Sequence, residues 1–234
     1  MTSIAIMQPY FFPYIGYFQL IAAADRFIFY DDVNFITRGW INRNRILINN
    51  SAKYVTIPCW DASQNKLINE VELDLEGKRK EKILRKIKLA YSKAPYFDAV
   101  YPLFERVMNS QCQYIAELAI KSIKEAASYL GLVCSFGRSS QEYQNNALKA
   151  ADRLIDICRL EQCDTYINPI GGEKLYEKTA FSEKGVQLYF LESEKVQYEQ
   201  FGNEFVPGLS ILDIMMFNNP QTIREDLLQS YKLT

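Results

Sequence analysis

The chain opens on a continuous apolar run at residues 4–7, which predicts a short strand buried on both faces. Gln8 and Pro9 break the run, and Pro13 and Gly16 punctuate a loop rich in aromatic side chains. From residue 16 to 24 the spacing becomes helical, with Tyr17, Leu20, Ile21 and Ala24 on one face. Residues 27–30 predict a second strand, ended by Asp31 and Asp32. A strand–loop–helix–strand unit implies a parallel pair with a right-handed crossover. Ligands of such sheets bind where the chain leaves the carboxyl ends of the strands. The candidate site therefore starts at residues 8–14 and 31–34.

Beyond this unit, residues 35–46 read as a polar arm, residues 54–58 as a short strand, and the alternation over 68–75 as a half-buried or edge strand. Residues 78–92 form a basic amphipathic helix whose charge run reads as a solvated face. Pro95 ends it, and helices follow at 97–109 and 114–130, the last stopped by Gly131. Residues 132–136 return the chain to the sheet, 146–158 are helical, and short strands are expected at 166–167 and 187–191. Ser210 caps a helix carrying Leu212, Met215 and Met216, and residues 223–231 close the chain as a short helix. This alternation predicts one α/β domain over residues 1–234, with a mostly parallel sheet, flanking helices and a helical insertion or cap at 76–130.

Composition narrows the chemistry. Apolar residues make up 48% and charged residues 24%, ordinary for a globular protein. A net charge of −1 argues against a dedicated nucleic-acid binder, though a local basic patch stays open. No apolar run reaches the ~20 residues a spanning helix needs, and no segment reads as a signal peptide. Five scattered cysteines without a CxxC pair suit a reducing cytoplasm, and no metal site is expected. The chain has no histidine, so it lacks the commonest general base and the commonest metal ligand.

Recognition groups gather at three places. Asp31, Asp32 and Asn34 stand at the second strand's exit, beside an arm holding Arg38, Trp40, Asn42, Arg43 and Arg45. Arginine binds phosphate or carboxylate in bidentate fashion and stacks on flat rings. The aspartates read either as a strand-end turn or as the groups that orient or deprotonate a substrate amine. Asn168, Gly171, Gly172 and Lys174 lie where a strand turns into a helix, a geometry that serves as a tight turn or an anion cradle. It lacks the spacing of a Walker motif. Ser210 near the last helix has a second, less favoured reading as a substrate contact.

Several blocks together resemble the WbqC-like family: MQPYFFPYIGYFQLI, FYDDVNFITRGWINRNRI, SKAPYF, the Gly-Gly-Glu-Lys turn and FVPGLSILDIMMFN. They run collinearly from residue 4 to about residue 218. The resemblance implies a role in bacterial O-antigen or surface-polysaccharide synthesis. In some clusters it implies addition of a glycyl group to the amine of a nucleotide-linked 4-amino-4,6-dideoxy sugar, such as a dTDP sugar. Residues 7–17 also occupy the place of the strand–loop–helix element of nucleotidyltransferases and pantothenate-synthetase-like ligases, which points to a Rossmann-like fold. The His-x-Gly-His of those enzymes corresponds to Tyr14, Ile15, Gly16 and Tyr17 here. Tyrosine is neutral at pH 7, so any cation must come from Arg38, Arg43, Arg45 or Lys174.

Two function classes follow. In an amide-forming transferase or ligase, Asp31 or Asp32 acts on the amine, Arg43 and Arg45 hold a pyrophosphate, and Trp40 or Tyr10 stacks on a base or sugar ring. Gln8, Pro9, Phe11, Tyr14, Gly16 and Tyr17 then line the opening loop, and Lys93 and Tyr96 reach the cleft from a cap. ATP with Mg would activate the acyl group; a charged tRNA donor would need a large basic surface. In the second class the chain is a non-catalytic nucleotide-sugar-binding or partner protein. Either class admits a homodimer.

Overall fold

The computed structural model describes residues 2–202 and 204–234. Its centre is a six-stranded sheet built from β1 (Ser3–Met7), β2 (Arg26–Phe29), β5 (Ser135–Ser139), β6 (Thr165–Pro169), β7 (Gln187–Ser193) and β8 (Tyr231–Leu233). The order is β5-β2-β1-β6-β7-β8; all adjacent pairs are parallel except β7 with β8. Strand order reverses between β1 and β6, the switch point of a doubly wound Rossmann-like sheet. A separate antiparallel pair, β3 (Arg43–Ile48) and β4 (Ser51–Thr56), turns at Asn49 and Asn50, both with positive φ as a type I′ hairpin requires.

The apolar run of β1 is explained by burial on two sides. Ala5, Phe27 and Phe29 face a large cluster with α1 (Ile15–Ala23), α3 (Phe97–Met108), α4 (Ile115–Tyr129) and α7 (Ile211–Phe217). Ile4, Ile6 and Ile28 face the opposite cluster, with α5 (Ala150–Leu160) and α6 (Lys178–Ser182). The basic helix α2 (Lys78–Tyr91) sends Ile83, Ile87 and Tyr91 into the larger cluster and leaves its lysines outside.

Several segments depart from the sequence expectation, the strand expected at 132–136 lying three residues later at Ser135–Ser139. The alternating run at 68–75 is not a strand: it holds a 3-10 turn, Ile68–Glu70, and isolated bridges Cys59 to Leu73 and Glu72 to Tyr114. Its amides find separate acceptors (Ile68 N to Val33 O, Leu73 N to Gln113 O, Asp74 N to Pro58 O), so no ladder forms. At the C-terminus, Ile223–Leu227 is a π turn and Tyr231–Leu233 joins the sheet edge instead of extending a helix. The polar arm becomes the β3 strand from Arg43 onward, so half of its groups are hairpin side chains.

Gln19, buried in α1, ties the first unit to the last. Its Nε2 donates to Leu227 O (3.1 Å) and Ser230 O (3.0 Å), and its Oε1 accepts from Ser193 Oγ (2.6 Å).

Candidate functional site

Register brings the opening loop and the aspartates to one edge. Met7 pairs with Phe29 and Ala5 with Ile167, so Gln8, Tyr30 and the turn after Asn168 emerge together at the switch point. The loop at 9–14 is held from four directions. Phe11 N donates to Ile41 O (3.1 Å) and Phe12 N to Ser122 Oγ (2.9 Å). Phe12 O accepts from Asn44 Nδ2 (2.7 Å) and from Ser210 Oγ (2.6 Å). Phe12 itself sits at φ 39°, a strained setting for a bulky residue that these contacts hold in place. Ser210 also caps α7, accepting from Leu212 N at 3.2 Å.

The two aspartates are buried together but held differently. Asp32 receives both Oδ atoms' bonds from Arg153 Nη2, at 2.7 and 2.5 Å, with side chains only 4% and 6% exposed. Arg153 Nε donates to Asn145 Oδ1 (3.0 Å), its guanidinium lies 4.8 Å from the Tyr30 ring centre, and Asn145 Nδ2 donates to Asp156. Asp31 has no ion-pair partner among the described residues. Its Oδ1 accepts from Ser139 Oγ (2.5 Å) and lies 3.3 Å from Ser140 Oγ, which donates to Asp32. Asp31 Oδ2 has no hydrogen-bond partner among the described residues. Burial raises the Asp31 pKa above the ordinary carboxylate value, opposed by the Ser139 hydroxyl. One carboxylate is thus fixed as an ion-pair partner and the other keeps an oxygen and a raised proton affinity.

Around them stand neutral donors and acceptors. Gln8 Oε1 is buried with no partner among the described residues, an arrangement that favours an incoming N–H or O–H donor. Tyr17 is buried and donates to Gln8 O at 2.9 Å, and Tyr10 packs on it at 5.7 Å. Burial, with Tyr14 nearby, pushes Tyr10 up to about 12; Tyr14 and Tyr17 are raised by burial as well. All three are therefore uncharged at neutral pH. The half-exposed Tyr14 ring lies over Gly16, where a Cβ would stand 2.4 Å from it. Gly172 likewise lets Asn168 in, since a Cβ there would meet the Asn168 amide at 2.7 Å, whereas Gly171 faces open space. Asn168 is buried at the end of β6, and Lys174 is exposed at the end of the 3-10 turn Ile170–Lys174, where the sequence had suggested a helix start.

The remaining candidates lie elsewhere. Phe11 is a core ring against Phe12 and Phe104, and Pro9 is buried. Asn34 and Asn42 donate to Gln64 O and Ile57 O, fixing backbone. Arg43 donates to the carbonyls of Gly39 and Arg38 and lies over Tyr54; Arg45 donates to Gly208 O and lies over Trp40. Among the described residues no hydrogen bond or ion pair joins Arg38, Arg43 or Arg45 to either aspartate. Lys93 lines a cavity of about 790 Å³ with Lys86, Asn49 and Phe201, while Tyr96 N donates to Met216 O at the α3–α7 junction.

Arg153, Ser139 and Ser140 escaped the sequence reading. Their signals were present: a charged residue inside the apolar stripe of α5, and a Ser-Ser pair at a strand exit. Among the described residues no group of three or more Cys, Asp or Glu is placed to hold a metal ion, and no helix is long and apolar enough to cross a membrane.

The strand order and the edge cluster define a Rossmann-like α/β protein with a polar site at the carboxyl edge of its sheet. Within that class, the chain belongs to the WbqC-like protein family, whose profile matches residues 8–225. It is also similar to a protein of Mycobacterium tuberculosis described as uncharacterized, 27% identical over 221 residues and covering 92% of this chain and 93% of that one. No solved structure matches.

Proposed function

We propose that this chain is an amide-forming transferase or ligase of surface-polysaccharide synthesis, working in the cytoplasm. It adds a glycyl group to the amine of a nucleotide-linked 4-amino-4,6-dideoxy sugar. The substrate class comes from the family resemblance; the observation that carries the chemistry is the inequality of Asp31 and Asp32. An amino sugar is largely an ammonium ion at neutral pH and must lose a proton before it attacks. Asp31, whose Oδ2 has no partner among the described residues and whose pKa is raised by burial, accepts that proton. The amine nitrogen then bonds to the activated glycyl carbon, the phosphate leaving group departs with the electron pair of the C–O bond, and the second proton shed by the nitrogen passes to that phosphate or to solvent. Asp32, locked on Arg153, positions the turn that carries Asp31.

ATP with Mg²⁺ is the proposed source of activation. Mg²⁺ would be carried in mainly by the nucleotide's own phosphates and water, since Asp31 is kept for the proton and Asp32 is engaged by Arg153. Gln8 Oε1 and Asn168 supply hydrogen bonds to the sugar or base.

The test is mass spectrometry of the purified protein given a dTDP-4-amino-4,6-dideoxy sugar and glycine, with and without ATP. A product heavier by one glycyl residue, formed only with ATP and lost in Asp31→Asn, supports the ligase. Binding of the sugar nucleotide without product under any donor favours the second reading, a non-catalytic nucleotide-sugar-binding protein. That reading draws on Tyr14 and Tyr17, which leave the opening loop without a cation. Neither product nor binding overturns both.

A further inference from the structure

Beyond the sheet-edge site, the outer face of the β3–β4 hairpin and α2 carries a second set of recognition groups. The chain has two tryptophans, and both are surface residues: Trp40 is 36% and Trp60 54% exposed. Tyr54, at 46%, lies beside Trp40 with ring centres 6.1 Å apart. Each ring has an arginine on it: Arg45 at 5.5 Å from Trp40, Arg43 at 4.5 Å from Tyr54, and Arg79 at 5.5 Å from Trp60. Lys86 reaches across from α2 to Tyr54 O at 2.6 Å, and Arg79 also pairs with Asp74, so the helix runs alongside the segment joining Tyr54 to Trp60. Large rings are normally withdrawn from water, and Trp, Tyr and Arg concentrate where partners bind.

Charge is divided the same way. Residues 38–93 hold thirteen Lys and Arg against six Asp and Glu, a net +7, and the rest of the chain carries −8 to give the total of −1. The balanced total therefore conceals a basic segment, of which Arg43, Arg45, Arg79 and Lys86 lie beside the exposed rings. Isolated lysines on a helix would mean only solvation; rings paired with guanidinium groups do not, because bases stack on the rings while the cations meet the phosphates. The six residue steps from Tyr54 to Trp60 can span up to roughly 20 Å, more than one nucleotide fills. We propose that this face binds an unpaired stretch of RNA by stacking bases on Trp40, Tyr54 and Trp60 and holding the backbone with Arg43, Arg45 and Lys86.

Both tryptophans lie on the face, so their intrinsic fluorescence reports on it directly. The full chain is titrated with an end-labelled single-stranded RNA 12-mer, following label anisotropy and tryptophan emission, with heparin as a polyanion lacking bases. The expected result is a dissociation constant of roughly 1–100 µM at about 50 mM salt, weakened by salt, with emission quenched by RNA and not by heparin. Trp40→Ala and Trp60→Ala each weaken binding about tenfold, with circular dichroism verifying that the variants stay folded. Arg43→Gln with Arg45→Gln flattens the salt dependence and serves as the second handle should a tryptophan variant misfold. Equal binding of heparin with no RNA-specific quenching would overturn the proposal, as would no RNA binding. Emission that changes with protein concentration alone would give the face to a second copy of the chain and also overturn it.

Discussion

Replacing Arg153 with methionine isolates the energetics of the pair beneath the proposed base. Methionine keeps much of the length and apolar volume of the side chain but removes every donor. Asp32, 9% exposed, would then lose the cation that bonds both of its oxygens, and Asn145 Oδ1 would lose its donor. Removing one partner of a buried ion pair costs about 3–5 kcal/mol, because the remaining charge is left uncompensated. A chain of 234 residues unfolds with roughly 0.5 kcal/mol per kelvin of entropy at its midpoint, so the melting temperature should fall by about 6–10 °C. Calorimetry at pH 7 measures this. The companion variant, Asp32→Asn with Arg153→Met, removes both charges and should recover at least half of the loss. If Arg153→Met costs under about 1 kcal/mol, or the double variant is simply additive, then the pair is not the compensated unit described here.

Three further outcomes are expected. Asp31→Asn should abolish glycyl transfer while leaving sugar-nucleotide affinity, measured by calorimetry, nearly unchanged; in the wild type, the rate should fall as pH drops through the raised Asp31 pKa. Gly172→Ala should weaken sugar-nucleotide binding about tenfold by displacing the Asn168 amide, one hydrogen bond's worth, whereas Gly171→Ala should change nothing. Asp213 accepts from Tyr91, Tyr198 and Gln200, yet burial raises its pKa. The folded state thus binds that proton more tightly, and the contribution to stability declines as pH rises from the ordinary carboxylate range through the raised value. The stability of wild type minus that of Asp213→Asn, from urea unfolding at pH 4 to 8, should therefore shrink with increasing pH; a difference that grows would refute the assignment.

The apolar run at 4–7 and the helical spacing after Gly16 were readable because each satisfies a local rule of burial. So was the placing of Asp31 and Asp32 at a strand exit. Their inequality was not readable, since it depends on Arg153, 121 residues further on, arriving on α5. The alternation at 68–75 misled because inward positions recur at every second residue in irregular chain too, when successive amides find different neighbours. The last strand hid inside a helical-looking tail because its partner, β7, lies far back in the chain. Arg43 and Arg45 showed their chemistry in the sequence but not their direction, since the hairpin lays Arg43 over Tyr54 and Arg45 over Trp40, away from the aspartates.

The clamp on the opening loop also sets an order of events during synthesis. Phe12 is made long before the groups that hold it, which come from Asn44, Ser122 and finally Ser210, and Gln19 waits for Leu227 and Ser230, more than two hundred residues further on. Contacts this distant must await loop closure and slow the last stage of folding. A chain cut before Ser210 therefore has the sheet's first strands without a formed pocket, and the site comes into being only once Ser210, Leu227 and Ser230 have joined it.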